Sequence, residues 1–401
     1  MFDTAAMRRT CVSPLITLVA LVMGCMVLVS PAKAQKSTYV TKAEHAILMD
    51  ADSGAVLFQK DADELTPPAS MSKLMTLAVV FKALKEGVLN LSDEITMSEN
   101  AWRTGGAPSG TSAMFVPINS KVTVEELLQG IIVQSGNDAC IALAEALAGS
   151  ESGFARVLTN EARRIGLEKS TFQNSTGLPA EGHMMTMREL ARLTRFLIKE
   201  YPDRFAMFAQ KEFRYRKHRF FNRNKLLFLD IGADGMKTGY TEASGYGIVG
   251  TAVQDGKRLI VAVNGLKSGN DRVEEARKLL EWGFRSFGSF ELFGADQVVG
   301  SARVWGGDRF YVPLVGKNGV SVVLPRYPAN QRLRAEIIYK GPLKPPVRQG
   351  DQVATLRITS STSAVSEVPL YAKADVGKGG VMRQGLDSLI HLALGWIHID
   401  L

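Results

Sequence analysis

The chain has 401 residues, 46% of them hydrophobic and 22% charged, with a formal charge of +8 at neutral pH. This composition excludes a disordered or collagenous chain, and the length allows a full-size core plus a second domain. The positive excess suits an anionic partner such as wall polymer or lipid headgroups.

At the N-terminus, Arg8 and Arg9 precede an apolar stretch from Leu15 to Val29 and the small-residue ending Ala32-Lys33-Ala34. The pattern predicts an export signal over residues 1–34, cut before Gln35. Two other readings compete with it. An uncleaved anchor would need a clean run of ~20 apolar residues. Lipidation at Cys25 is opposed by Met26-Val27-Leu28-Val29, which is too apolar to begin a mature lipoprotein. Loss of Arg8, Arg9, Lys33 and Asp3 with the leader leaves about +6 on the exported chain. Cys11 and Cys25 leave as well, so Cys140 remains alone and no intramolecular disulfide can form. Within Ala139-Cys140-Ile141-Ala142-Leu143 it reads as a small buried hydrophobe.

Apolar runs at 46–49 and 55–58 flank Asp52-Ser53-Gly54 and predict a hairpin that opens the first domain. Over 70–86, Met71, Leu74, Leu77 and Val80 or Phe81 recur at helical spacing, closed by Gly87, which predicts a buried helix. Thr123 and Glu126 form a capping-box signature ahead of Leu127, Leu128, Ile131 and Ile132. A further helix is expected from about Asp138, so Ser135-Gly136-Asn137 becomes a turn between two helices. Thr186 and Glu189 repeat the capping signal for a helix through Leu197. Runs at 245–253 and 257–266, joined by Asp255-Gly256, predict a hairpin, followed by a helix over about 271–284. Strands, several helices, strands and a last helix make an α+β first domain over 35–287.

Beyond Phe287-Gly288, short alternating runs at 309–313, 320–324, 334–339 and 353–358, separated by turn-rich pieces, predict a small all-β domain over 288–378. Within 379–401, Met382, Leu386, Leu389, Ile390, Ala393, Leu394 and Ile397 fall on one helical face, opposite Arg383, Gln384, Asp387, Ser388 and His391. Such a helix is too polar on one side to span a bilayer, and Trp396 near its end suits a membrane surface. A helix packed on its own β domain is the other reading of that stripe.

Ser70-Met71-Ser72-Lys73 places a serine and a lysine one helical turn apart, so hydroxyl and amine can meet. A lysine can take the serine proton only if burial or nearby cations lower its pKa. Alone the pattern is weak, since a helix cap followed by a solvated lysine looks the same. Ser135-Gly136-Asn137 and Lys237-Thr238-Gly239 change the weighting, because S-x-x-K, S-x-N and K-T-G in that order form the signature of penicillin-binding proteins and active-site serine β-lactamases. Each element has a physical task. Ser135 can relay a proton between Lys73 and the leaving amine, and Asn137 can hold the substrate's peptide carbonyl. Lys237 offers charge to a C-terminal carboxylate, Thr238 a hydroxyl donor, and Gly239 room for substrate backbone. The backbone N–H groups of Ser70 and Tyr240 are the candidate oxyanion hole.

From about Thr38 to Phe287 the chain resembles the D-alanyl-D-alanine carboxypeptidase family of low-molecular-mass penicillin-binding proteins. The resemblance extends beyond the trio to Ser98-Glu99-Asn100-Ala101-Trp102, Gln134 through Cys140, and Asn222-Arg223-Asn224. It implies a sheet with helices on both sides, the serine between subdomains, a smaller β domain and a C-terminal amphipathic anchor. It also implies that Arg223 and Arg272 assist carboxylate binding. Tyr240 stands where relatives often have histidine. The implied reaction removes the terminal D-alanine from peptidoglycan pentapeptide through an acyl-enzyme, and β-lactams would acylate the same serine.

A class A-like β-lactamase lacks support, since no Glu-x-x-Leu-Asn element lies between the second and third motifs. An endopeptidase of D-alanyl cross-links uses the same residues, but relatives with that role generally lack the β domain and terminal helix. A non-catalytic wall-binding protein would not need every motif residue. His45, His183, His218, His391 and His398 show no metal-binding spacing, so neither metal nor cofactor is implied. Basic residues interleaved with Tyr215, Phe220 and Phe221 over 214–225 would suggest nucleic acid in a cytosolic chain, and export disfavours that partner.

Overall fold

The computed structural model describes residues 39–327, 333–360 and 366–380. The expected export signal over 1–34 and, from residue 381 on, the expected C-terminal amphipathic helix lie outside the described residues.

In chain order the first domain opens with β1 (His45–Asp50), β2 (Val56–Lys60), α1 (Lys73–Lys85), β3 (Glu94–Thr96) and β4 (Lys121–Thr123). Then come α2 (Val124–Gln129), α3 (Asn137–Ala148), α4 (Glu151–Arg164), α5 (Met187–Glu200) and α6 (Pro202–Phe205). It closes with β5 (Glu212–Tyr215), β6 (His218–Phe221), β7 (Ala233–Thr241), β8 (Gly245–Gln254), β9 (Lys257–Leu266) and α7 (Gly269–Ser286). Five strands form one antiparallel sheet in the order β2-β1-β9-β8-β7.

The alternation of residues along β9 sets the layers. Leu259, Val261 and Val263 join Ala276, Leu279 and Leu280 of α7 on one face. Ile260 and Ala262 join residues of α1, α3 and α5 on the other. Side chains alternate across a strand with period two, so a run that is apolar throughout must be covered on both faces. The sheet is therefore flanked by helices on both sides, as the resemblance implies. Helix α1 is buried around its whole circumference, with Leu74, Leu77 and Val80 fully enclosed, which makes it the central helix of the second layer.

Local signals set most of the boundaries. At Thr123 the capping box is complete: Thr123 Oγ1 accepts from Glu126 N at 3.2 Å, and the Glu126 carboxylate accepts from Thr123 N at 3.0 Å. At Thr186 only half of it forms. Thr186 Oγ1 accepts from Glu189 N at 3.1 Å, but the Glu189 carboxylate turns to the N–H groups of Lys169 and Ser170, and α5 runs on to Glu200. The helix expected from Ser70 is split into a 3-10 turn over Ala69–Ser72 and α1. Lys237-Thr238-Gly239 lies within β7, an edge strand of the sheet.

The C-terminal segment is all β. Strands β10 (Phe287–Phe293), β11 (Val298–Arg303), β12 (Tyr311–Val315), β13 (Val320–Pro325), β14 (Leu333–Ile338), β15 (Gln352–Ser360) and β16 (Ser366–Ala372) build a ribbon, β10-β13, and a five-stranded sheet, β11-β12-β16-β15-β14. They share a core that includes Val304, Val312, Leu314, Leu356 and Leu370. The expected α+β class stands, and within this segment β10, β11 and β16 are added to the strands read from the sequence.

Candidate active site

Ser70 sits half-buried in the 3-10 turn between α1 and the edge strand β7. Two glycines let other backbones close on that turn. At Gly177, with φ +77°, a Cβ would lie 2.0 Å from the Ala69 carbonyl oxygen, so the loop over 174–182 passes only without a side chain. A Cβ on Gly239 would lie 3.0 Å from the Pro68 oxygen and 3.1 Å from Ala69 Cβ. The space that sequence reasoning reserved for substrate at Gly239 is thus used by the serine turn itself.

Lys73 begins α1 and is fully buried. Its Nζ lies 2.8 Å from Ser70 Oγ and donates to the Thr176 carbonyl at 2.5 Å. Burial pushes the amine down to about 8, because a charged ammonium loses its hydration there. The loop that supplies Thr176 O is braced at several points. Thr76 Oγ1 donates to Ser175 O at 2.7 Å, Ser175 Oγ donates to the Glu151 carboxylate at 2.6 Å, and Asn174 Oδ1 accepts from Gly177 N at 2.8 Å.

Ser135 follows a π turn over Gly130–Gln134 and takes φ +64°, which swings its hydroxyl away from the helix path. Its Oγ accepts from Lys237 Nζ at 2.8 Å. Among the described residues its partner is thus Lys237, and no hydrogen bond joins it to Lys73. Lys237 is also buried, and burial first and the Lys73 charge second hold its pKa well below the ordinary lysine range. Asn137 donates from Nδ2 to Thr111 Oγ1 at 2.9 Å, while its buried Oδ1 has no partner among the described residues. One amide hydrogen and one acceptor therefore stay open for a substrate amide. Thr238 is buried beside Lys237, and its carbonyl accepts from that lysine at 3.3 Å.

Arg223 donates to Ser112 Oγ at 2.6 Å and lines a cavity of about 380 Å³ together with Ser70, Thr111, Asn137, Leu178 and Tyr240. Arg272 does not line this cavity. It donates to Gly239 O at 3.2 Å from behind β7 and lies over the Tyr246 ring, which stacks on Tyr240 with centroids 4.2 Å apart. The carboxylate beside the second motif, Asp138, is taken up by the N–H groups of Met114, Val116 and Ala139 at 2.8, 3.3 and 3.0 Å. The cavity lining thus holds Arg223 and no carboxylate, with Lys73 and Lys237 buried behind it on Ser70 and Ser135, an arrangement that favours an anionic ligand. Sequence reasoning missed Thr111, Ser112, Asp138, Glu151 and Thr176. The polar turn run Asn174-Ser175-Thr176-Gly177 signals a loop, but the decisive atom there is a backbone carbonyl, which carries no residue signature.

Residues 31–268 match the D-alanyl-D-alanine carboxypeptidase family, peptidase S11. The chain belongs to this family. Residues 287–378 match the C-terminal domain of penicillin-binding protein 5. The D-alanyl-D-alanine carboxypeptidase DacC of Escherichia coli K12 is 39% identical over 336 residues, which are 83% of this chain and 84% of that protein. DacA of the same organism is 33% identical over 347 residues, 86% of each chain. Among solved structures, penicillin binding protein 5 from Haemophilus influenzae superposes with a TM-score of 0.74 at 32% identity, covering 85% of this chain and 99% of that one. Penicillin-binding protein D2 from Listeria monocytogenes, in its ampicillin-bound form, gives 0.56 at 27% identity, covering 62% of this chain and 100% of that one. Its match is confined to a shorter share of the chain, whereas the Haemophilus protein parallels most of this family member.

Proposed function

We propose that this chain is an exported serine-type D-alanyl-D-alanine carboxypeptidase that removes the terminal D-alanine from peptidoglycan pentapeptide and is acylated by β-lactams at the same serine. Family membership supports the activity. The observation that carries the site is Ser70 Oγ at 2.8 Å from the Nζ of a buried lysine whose pKa lies at about 8. An ordinary lysine near 10.4 holds its proton too firmly to serve as a base at neutral pH.

Neutral Lys73 accepts the Ser70 proton as Oγ attacks the carbonyl between the two D-alanines. The Ser70 and Tyr240 N–H groups receive the oxyanion, on a strand edge whose outer backbone groups are not used by the sheet. Lys237, Thr238 and Arg223 hold the terminal carboxylate, and Arg272 holds the Gly239 carbonyl so that the strand keeps its place. Asn137 orients the substrate amide. Ser135 gives its hydroxyl proton to the departing amine and is reprotonated by Lys237, and the proton that Lys73 took from Ser70 restores Lys237. D-alanine leaves, and water, giving one proton to the again neutral Lys73, attacks the acyl ester and releases the tetrapeptide as that proton returns to Ser70 Oγ. Incubation of the mature protein with a synthetic pentapeptide should produce a mass loss of one alanine residue. An analogue with an amidated C-terminus should be a far poorer substrate, and equal cleavage of acid and amide would remove the carboxylate role of Lys237 and Arg223.

Residues 35–287 form the catalytic unit and 288–378 the β unit in this reading, and 379–401 attach the enzyme to the outer face of the cytoplasmic membrane. The last point rests on the sequence pattern; among the described residues no helix is long and apolar enough to cross a membrane. Truncation from Val381 onward should move the enzyme from the membrane fraction to the soluble one with penicillin labelling intact. A truncated enzyme that still sediments with membranes would show that attachment lies elsewhere.

A further inference from the structure

The basic and aromatic stretch over 214–225 has no task in the mechanism above beyond Arg223. In the structure it is the β5–β6 hairpin with the turn that follows. Its inner face carries Phe213, Tyr215 and Phe220, all buried, with Phe220 stacked on Phe115. Its outer face carries Arg214, Arg219 and Phe221, and Arg216 and Lys217 form the tip. From Lys211 to Lys225 seven lysines and arginines stand against one acid, Glu212.

Arg214 and Arg219 are direct cross-strand partners on the exposed face. Like charges set opposite each other work against strand pairing. Glu212 answers Arg219 in an ion pair, while Arg214 and Lys217 have no hydrogen bond or ion pair among the described residues. The face therefore presents Arg214 as an unanswered guanidinium beside the Arg219–Glu212 ion pair, with Lys217 at the tip, and neutralising Arg214 and Lys217 requires anions from outside the described chain. It is also continuous with the active site. The turn after β6 fixes Asn222 to the Gln210 carbonyl at 2.9 Å and delivers the next residue, Arg223, into the cavity beside Ser70. Phe115, beneath the hairpin, lies three residues from Ser112, which binds Arg223.

We infer that the outer face of this hairpin is an anion-binding extension of the active-site cleft that engages the carboxylates of a polymeric peptidoglycan strand beyond the stem being cut. The inference rests on the carboxypeptidase reading. Arg219, with its guanidinium 4.8 Å from the Phe221 ring, lies on the strand that leads into Arg223, and Arg214 is its cross-strand partner, so a substrate chain leaving the cavity on the Arg223 side would run toward this face. Stem peptides repeated along a glycan strand offer carboxylates at intervals, whereas a short soluble peptide fills the cavity alone. The face should therefore discriminate polymer from monomer.

The test uses the full exported chain and the double variant Arg214→Gln/Arg219→Gln. D-alanine release is measured from synthetic pentapeptide and from insoluble wall sacculi, at low and high salt, with co-sedimentation on sacculi and on phosphatidylglycerol vesicles. On pentapeptide, kcat and KM should stay within about twofold of wild type. On sacculi the apparent KM should rise about five- to tenfold at low salt, the size expected of two exposed ion contacts, and its salt dependence should flatten. The thermal midpoint should change little, since the double variant removes the opposed pair together with the exposed Arg219–Glu212 ion pair. Equal losses on both substrates, unchanged kinetics on sacculi, or a loss confined to vesicle binding would each overturn the inference. If wild type released no D-alanine from pentapeptide, the carboxypeptidase reading would fall, and sacculus co-sedimentation would still decide the hairpin.

Discussion

Replacing Ser70 by alanine is expected to abolish covalent penicillin labelling and D-alanine release while leaving the fold intact. Among the described residues, Ser70 Oγ is the side-chain hydroxyl bonded to the Lys73 amine, and another serine hydrolase loses on the order of 10⁶ in kcat with its nucleophile. The structural cost is small because Ser70 is half-buried and its hydroxyl contributes one bond to Lys73, which keeps its 2.5 Å bond to Thr176 O. Intact-mass measurement after exposure to a β-lactam checks both points when paired with a thermal midpoint. An adduct on the alanine variant would place the nucleophile elsewhere.

The second large effect concerns Lys73. Lys73→Ala should lower acylation by ~10²–10⁴, the usual worth of a positioned general base. Lys73→Met should do the same while keeping most of the buried volume, which separates loss of the base from loss of packing. On the proposed reading the reactive form is the neutral amine, and burial holds the pKa of the group down at about 8. Below that pH most molecules carry the ammonium, so the acylation rate should climb about tenfold per pH unit and level off near 8. Burial also holds the pKa of Lys237 well below the ordinary lysine range, so if its ammonium holds the substrate carboxylate, kcat/KM should fall with rising pH once that proton is lost. Stopped-flow acylation across this range reads the profile. A flat response below pH 8 would exclude Lys73 as the base.

What the sequence discloses here is what is contiguous. Ser70 with Lys73, Ser135 with Asn137, and Lys237 through Tyr240 each lie on a few adjacent residues, so motif and geometry coincide. The Thr123 capping box and the β8–β9 hairpin are legible for the same reason, since short-range hydrogen bonds and a two-residue turn define them. Contacts set by tertiary placement escape such reading. That Ser135 meets Lys237 and not Lys73, that Gly239 makes room for Pro68 and Ala69, and that Thr176 offers a carbonyl to Lys73 all depend on elements remote in sequence. Strands β5 and β6 escape because four residues each, crowded with charge, give too short an alternation.

The bonds that complete the site span long loops: Lys73 to Thr176 closes 103 residues, and Ser135 to Lys237 closes 102. The sheet imposes a similar delay, because β1 gains its inner neighbour only when β9, which ends at Leu266, is in place. Closing such loops costs chain entropy before any contact returns it, which makes assembly slow compared with local helix formation. A chain that emerges N-terminus first carries its nucleophile early, but it has neither the carbonyl that seats the base nor the Ser135–Lys237 pair. On the proposed reading, reactivity toward β-lactams should therefore be a property of the finished tertiary structure, not of the S-x-x-K sequence. A fluorescent penicillin should then count folded molecules, with no labelling until nearly all of the first domain has assembled.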